Sequence, residues 1–311
     1  MQFGMFLPIS GRAAGPETLA GAARQAETLG YDSVWCADRI VIPWEIKTPY
    51  PYSEGQSFIV PPDRPFFEPL TCLAFLAGCT EKIRLGISVL VLPYRQPLYW
   101  AKIATTIDHL SKGRLILGVG VGWMAEEFEA LGANFAARGE LSDEQLDLVK
   151  VLWEQERARF SGRHYRFEEI AFAPKPLQKP RIPIWVGGEG KRAQRRAGER
   201  GDAWFPYFVR MTPAELARRF DNVRRAAKKS GRDPGAVRLN CCLPIELGGE
   251  AAPWEKDRLR GSAEQIAAAL EGYVRIGVEH LALQFMVPHY PERIEQIERF
   301  AREVMPAFKN A

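Results

Sequence analysis

The chain has 311 residues, 46% of them apolar and 26% charged, with a formal net charge of +4. That is enough apolar chain to bury a substantial core, as one large α/β unit or two smaller ones. The modest charge, with no basic stripe interleaved with aromatics, argues against a nucleic-acid partner, and no apolar run approaches the ~18 residues of a membrane span.

The amino terminus, "MQFGMFLP", lacks a basic region and a cleavage site and reads as a first strand, not a leader peptide. Short β-rich runs then alternate with longer amphipathic ones. The expected strands are "QFGMFL", "DSVWCA", "IRLGISVLVL", "GRLILGVG", "IPIWVGG", "GDAWFP", "VRLNCCLPIEL" and "HLALQF". Helical periods fall at 17–29, 67–79, 98–110, 125–131, 141–157, 191–198, 213–230, 263–275 and 291–305. Thr212-Pro213-Ala214-Glu215 and Ser262-Ala263-Glu264-Gln265 mark two of the helix starts as capping boxes. Eight strands, each followed by a helix, predict a parallel α/β sheet closed into a (β/α)8 TIM barrel, with an open doubly wound sheet as the alternative.

Two segments depart from the alternation. Residues 44–65, "WEIKTPYPYSEGQSFIVPPDRP", carry five prolines after the first residue, several aromatics and no period. A long loop after strand 2 of a barrel lies at the catalytic face, which predicts a lid; a surface excursion without function is the other reading. Residues 158–174, "ARFSGRHYRFEEIAFAP", read as a hairpin inserted before strand 5.

Cys36, Cys72, Cys79, Cys241 and Cys242 are odd in number and lack CxxC spacing, as expected of reduced thiols in a cytoplasmic protein. His109, His164, His280 and His289 do not cluster, although His280 or His289 could reach the barrel mouth. No metal-ligand spacing and no Ser-His-Asp order is present, so no metal is expected.

"LILGVGVGW", 115–123, poses a choice. Gly118, Gly120 and Gly122 give GxGxG and not GxGxxG, and they follow three earlier strand–helix units, so a dinucleotide fingerprint fails on context. Glycines in a barrel strand instead leave bare wall where a flat ring or another backbone approaches. Service to packing and the turn alone is the alternative.

"VLPYRQPLYWAKIATTIDHLSKGRLILGVGVGWMAEEFEALG", followed by "IPIWVGGEGKRAQRRAGERGDAWFP", resembles the bacterial luciferase-like family. The likeness is especially to the branch that uses the deazaflavin coenzyme F-420, and it runs from Met1 to about Leu283. It implies one barrel domain over 1–311, a small-molecule substrate and, as in many relatives, a homodimer. It also implies that Ser88-Val89, in "LGISVLVLP", forms a bulge with a non-proline cis peptide behind the cofactor ring.

"WVGGEGKR" reads as the phosphate cradle. Gly187, Gly188 and Gly190 free backbone N–H groups, and Glu189 could still donate its own. Lys191 and Arg192 stand against the helix dipole, which a bound anion would offset. The phosphodiester and polyglutamate tail of F-420 suit this patch, whereas Arg195, Arg196 and Arg200 read as a solvated face. Trp123, after the strand-4 glycines, is expected in the pocket wall.

Asp38-Arg39 departs from the Asp-His pair usual in relatives that oxidise alcohols or sugar phosphates. Arg39 stays protonated and cannot act as a base, but it could stabilise negative charge. Asp38 fits a hydrogen bond to the ring edge or a salt bridge to Arg39. Trp44 matches a position lining the substrate pocket, or packs on the barrel. The resemblance therefore implies hydride transfer between F-420 and a small organic substrate. An FMN-dependent monooxygenase, or a cofactor-binding protein without turnover, are the rival readings.

Overall fold

Why the strands close follows from their composition: runs dominated by Val, Ile, Leu and Trp have no polar face to turn to water, so helices must cover one side and the barrel interior the other. A computed structural model describes residues 1–52, 55, 58, 60–248, 258–287 and 289–309. In chain order it contains β1 (Gln2–Phe6), α1 (Pro16–Thr28), β2 (Ser33–Cys36), α2 (Pro69–Cys79), β3 (Arg84–Val91), α3 (Pro97–Leu110) and β4 (Leu115–Gly120). Next come α4 (Ala125–Ala130), α5 (Arg138–Glu154), β5 (Arg157–Ser161), β6 (Arg166–Ala171), β7 (Ile184–Val186), α6 (Lys191–Arg200) and β8 (Ala203–Trp204). The chain ends with α7 (Pro213–Lys229), β9 (Arg238–Leu247), β10 (Leu259–Gly261), α8 (Ala263–Arg275), β11 (Val278–Phe285), α9 (Tyr290–Glu303) and α10 (Pro306–Lys309).

Parallel pairing runs β1–β2–β3–β4–β7–β8–β9–β11 and returns to β1, which closes an eight-stranded (β/α)8 barrel. The expected fold class is therefore observed. β5 and β6 form the separate antiparallel hairpin. Proline opens α1, α2, α3 and α7, where a missing N–H costs nothing, and the Glu68, Gln96 and Thr212 side chains cap the last three. Ser262 and Gln265 complete the capping box of α8.

Some boundaries differ from expectation. The helix expected over 141–157 starts a turn earlier, at Arg138, and ends at Glu154, because the hairpin already claims Arg157. β10 was not expected: β8 pairs only with the start of β9, and Leu259–Gly261 continue that edge beside Ile245–Leu247.

The barrel interior is filled around Trp35, which is fully buried and packs on Phe205 at 4.8 Å and Trp185 at 5.2 Å. Gly4 and Gly86 flank it, and a methyl group at either position would overlap the indole. Among the described residues, no helix is long and apolar enough to cross a membrane.

Candidate active site

A cavity of ≈ 650 Å³ opens at the carboxyl ends of the strands. This is the face where barrel folds place their chemistry. Its back wall is the Ser88–Val89 segment, whose peptide bond is cis, and the β3–β4 register shifts between Ile87 and Leu90. The glycines explain how that bulge fits. A Cβ on Gly118 would strike the Ile87 carbonyl oxygen, and one on Gly120 would strike the Val89 side chain. Just past the end of β7, a Cβ on Gly187 would lie 2.8 Å from Val89 Cγ1. The bare wall is thus occupied by β3 itself, so the room expected for a ring is created indirectly, by seating Val89. Gly122, at φ +78°, makes the turn that brings Trp123 to the cavity. Ser88 Oγ is buried at the same wall without a hydrogen-bond partner, a polar atom a ligand edge would satisfy.

Asp38 and Arg39 both border the cavity, but their charges are spent elsewhere. Asp38 accepts two bonds from the Arg95 fork, at 2.7 and 2.8 Å, and a third from Val91 N at 2.8 Å. It does not pair with Arg39, which corrects one sequence expectation. Arg39 instead pairs with Glu127 and lies over the rings of Phe58 (4.9 Å) and Trp123 (5.3 Å). Glu127 is fully buried and also accepts from Ile40 N (2.8 Å), Val41 N (3.3 Å) and Tyr94 OH (2.7 Å). Burial, and then the Glu127 charge, push the Tyr94 phenol well up. Sequence reading missed Glu127, because "AEEFEA" looks like the wet start of a short helix. The available signal was the pair itself: Glu126 faces the loop and Glu127 the interior.

The loop after β2 lies against the mouth. Lys47 N and Thr48 N donate to Glu126 Oε1 at 2.8 and 2.9 Å, and Arg210 Nη2 donates to Tyr52 O at 2.6 Å. Tyr50 packs on Trp123 at 5.0 Å and Phe58 at 5.4 Å, while Tyr52 meets Tyr207 at 5.0 Å. Burial pushes the Tyr50 phenol up to about 12, despite the nearby Arg39 charge, and raises those of Tyr52 and Tyr207 further. Of the expected lid, residues 53, 54, 56, 57 and 59 lie outside the described residues. Trp44 is 82% exposed and does not line the cavity, contrary to the pocket position expected of it. His280 sits at the opposite end of the barrel and His289 is exposed outside the cavity, so neither reaches the mouth.

At the cradle, Gly187 and Gly188 line the cavity, with Gly188 at φ +93°. Gly187 N–H is spent on Val119 O at 2.9 Å, which leaves the cradle to the amides that follow it into α6. Glu189 is half-buried and 3.6 Å from Arg219; burial raises its carboxyl, with that arginine opposing. Gly190 is the N-cap, and Lys191 and Arg192 are exposed and away from the cavity lining. Arg196, expected in solvent, is the one turned inward: it is 4% exposed, lines the cavity and holds Asp143 at 2.5 Å. Replacing Lys191 and Arg192 together by glutamate should therefore weaken binding of an anionic cofactor by less than about tenfold. Exposed charges act through a screened field, so about 0.5 M salt should erase the difference. Fluorescence titrations at two ionic strengths check this.

Residues 1–248 match the family described as luciferase-like monooxygenase. An uncharacterized protein of Mycobacterium tuberculosis is 34% identical over 210 residues, 68% of this chain and 71% of its own. The phthiodiolone/phenolphthiodiolone dimycocerosates ketoreductase of Mycobacterium kansasii is 30% identical over 278 residues, covering 85% of this chain and 74% of that one. Among solved structures, an F-420-dependent secondary alcohol dehydrogenase in complex with an F-420–acetone adduct superposes with a TM-score of 0.79 at 18% identity, over 99% of both chains. That last likeness is one of fold.

Proposed function

The chain belongs to the luciferase-like monooxygenase family, and from that premise we propose that it is an oxidoreductase using coenzyme F-420 to reduce a polarised double bond of a small organic acceptor. The reading is carried by one observation. Asp38 is the one carboxylate among the described cavity-lining residues, and both its oxygens are held by Arg95. The other titratable groups there are guanidinium and phenol donors, and no histidine is among them.

The residues present fit the cofactor. Ser88 Oγ is an unsatisfied polar atom at the wall, Val89 forms the platform, and the backbone from Gly188 into α6 offers N–H groups to a phosphate. Arg39, Arg196, Arg210, Arg258 and Arg293 line the cavity as donors available to an anion, although Arg39, Arg196 and Arg258 are already paired with Glu127, Asp143 and Glu246 outside the lining. When bound, the deazaflavin supplies two-electron transfer at its ring. Tyr50, Tyr52 and Tyr207 keep their O–H protons, because burial raises their phenols, and they can donate to an oxygen or nitrogen that gains negative charge. Loss of a proton from an alcohol would need a base near neutrality, and none of these groups is one. The loop resting on the mouth keeps water from the acceptor. The ketoreductase relative, by its name, acts in the same chemical direction.

The test is titration of the purified protein with F-420 and FMN separately, read by ring fluorescence, followed by turnover. Reduced F-420 is offered with ketones, enones and imines, and oxidised F-420 with alcohols and sugar phosphates. Tighter F-420 binding with acceptor reduction is expected. Brisk alcohol oxidation at neutral pH overturns the direction, FMN binding with oxygen-dependent turnover makes the protein a monooxygenase, and binding without turnover makes it a carrier.

A further inference from the structure

The other end of the barrel is built unlike a typical barrel floor. Inward-facing layers are ordinarily branched and apolar. Here a chamber of ≈ 260 Å³ at the amino ends of the strands is lined by Gln2, Arg84, Asn240 and His280, beneath Trp185. Trp185 and Trp35 separate it from the upper cavity. A fixed hydrogen-bond chain orients part of the lining. The Trp35 indole can only donate, so Ser33 Oγ accepts from it at 2.7 Å and passes its own hydrogen to His280 Nε2 at 2.7 Å. His280 Nδ1–H then donates to Gln2 Oε1 at 3.1 Å. The imidazole is neutral, because burial, aided by the Arg84 charge, pushes its pKa down to about 3. Gln2 is left with its NH2 to offer.

Four basic side chains, Arg84, Lys179, Arg181 and Arg238, line the chamber with two carboxylates, Asp202 and Glu279. Arg181 is matched by Asp202 and Arg238 by Glu279, each at 2.7 Å. Arg84 and Lys179 have no carboxylate within ion-pair distance among the described residues. Arg84 makes only a long hydrogen bond, 3.4 Å to Gln178 Oε1; burial, and then the Arg238 charge, lower its pKa, partly opposed by the Asp108 carboxylate. Asn240 is 1% exposed and its Oδ1 has no partner. A half-buried guanidinium without a direct ion pair, beside a buried acceptor without a partner, leaves room for a ligand that supplies both an anion and a donor.

We propose that the barrel floor is a second binding site, taking a small oxyanion that also carries an O–H group, with hydrogen phosphate as its simplest occupant. Its oxygens accept from Arg84, Lys179 and the Gln2 amide, and its hydroxyl donates to Asn240 Oδ1. The site ties together β1, β3, β9 and β11 from below, so occupancy raises the stability of the barrel.

Inorganic phosphate is the probe, with sodium chloride at equal ionic strength as the reference. Calorimetry and thermal unfolding are measured on the wild type, Arg84→Gln and Lys179→Ala. Saturable phosphate binding with a raised melting temperature is expected, weakened about tenfold or more by Arg84→Gln and less by Lys179→Ala. Lys179 is exposed, so its variant keeps the test open should Arg84→Gln fail to fold. Sulfate, which lacks the hydroxyl, should bind about tenfold more weakly. No phosphate effect beyond chloride, equal binding of sulfate, or phosphate binding untouched by the substitutions would each overturn the proposal, the last by placing the anion at the upper cavity.

Discussion

Replacing Glu127 by alanine is expected to cost about 3–5 kcal/mol of stability, the usual range for removing one partner of a buried ion pair. The carboxylate has no exposed surface and accepts from the Arg39 guanidinium, the Tyr94 hydroxyl and the amides of Ile40 and Val41. Alanine leaves all of those donors stranded in a dry wall. Arg39→Ala should fall in the same range from the other side, and Arg39→Met with Glu127→Leu should cost clearly less than the sum of the single changes. Denaturant unfolding of the singles and the double checks this. A loss no larger than that of a surface substitution for Glu127→Ala would contradict it.

Trp35→Ala should be of similar size, about 3–5 kcal/mol. The ring fills the centre of the barrel, and Gly4 and Gly86, which flank it, contribute no side chain to the hole it would leave. The change also removes the donor that sets the Ser33–His280 chain, so both ends of the barrel should loosen together. Thermal unfolding followed by near-ultraviolet circular dichroism reads both effects.

How far these features could be foreseen depends on their range along the chain. The barrel was legible because its evidence is local and repeated: each strand carries its own apolar run and each helix its own period and cap. The Ser88–Val89 bulge was readable through resemblance, since no property of the two residues announces it. Charge pairing was not legible. Asp38 finds Arg95 57 residues away and Arg39 finds Glu127 88 residues away, although an adjacent Asp-Arg invites a local pairing. The helix "KRAQRRAGER" carries five basic residues along one half of its surface, so their charges do not say which arginine turns inward. Packing against α5 chooses Arg196, and Lys191 and Arg192 are left in solvent. Trp44 shows the converse: a position carried over from relatives need not keep its contact when the loop around it has its own course.

The seat of Val89 has a consequence for how this pocket can be altered. Its side chain is held in a slot cut by the missing side chains of Gly120 at the end of β4 and Gly187 just past the end of β7. The three positions therefore form one mutational unit. A larger residue at either glycine is tolerated only with a smaller one at 89, so single-site libraries will read each position as immutable, while paired libraries across the three positions will open routes to a reshaped platform.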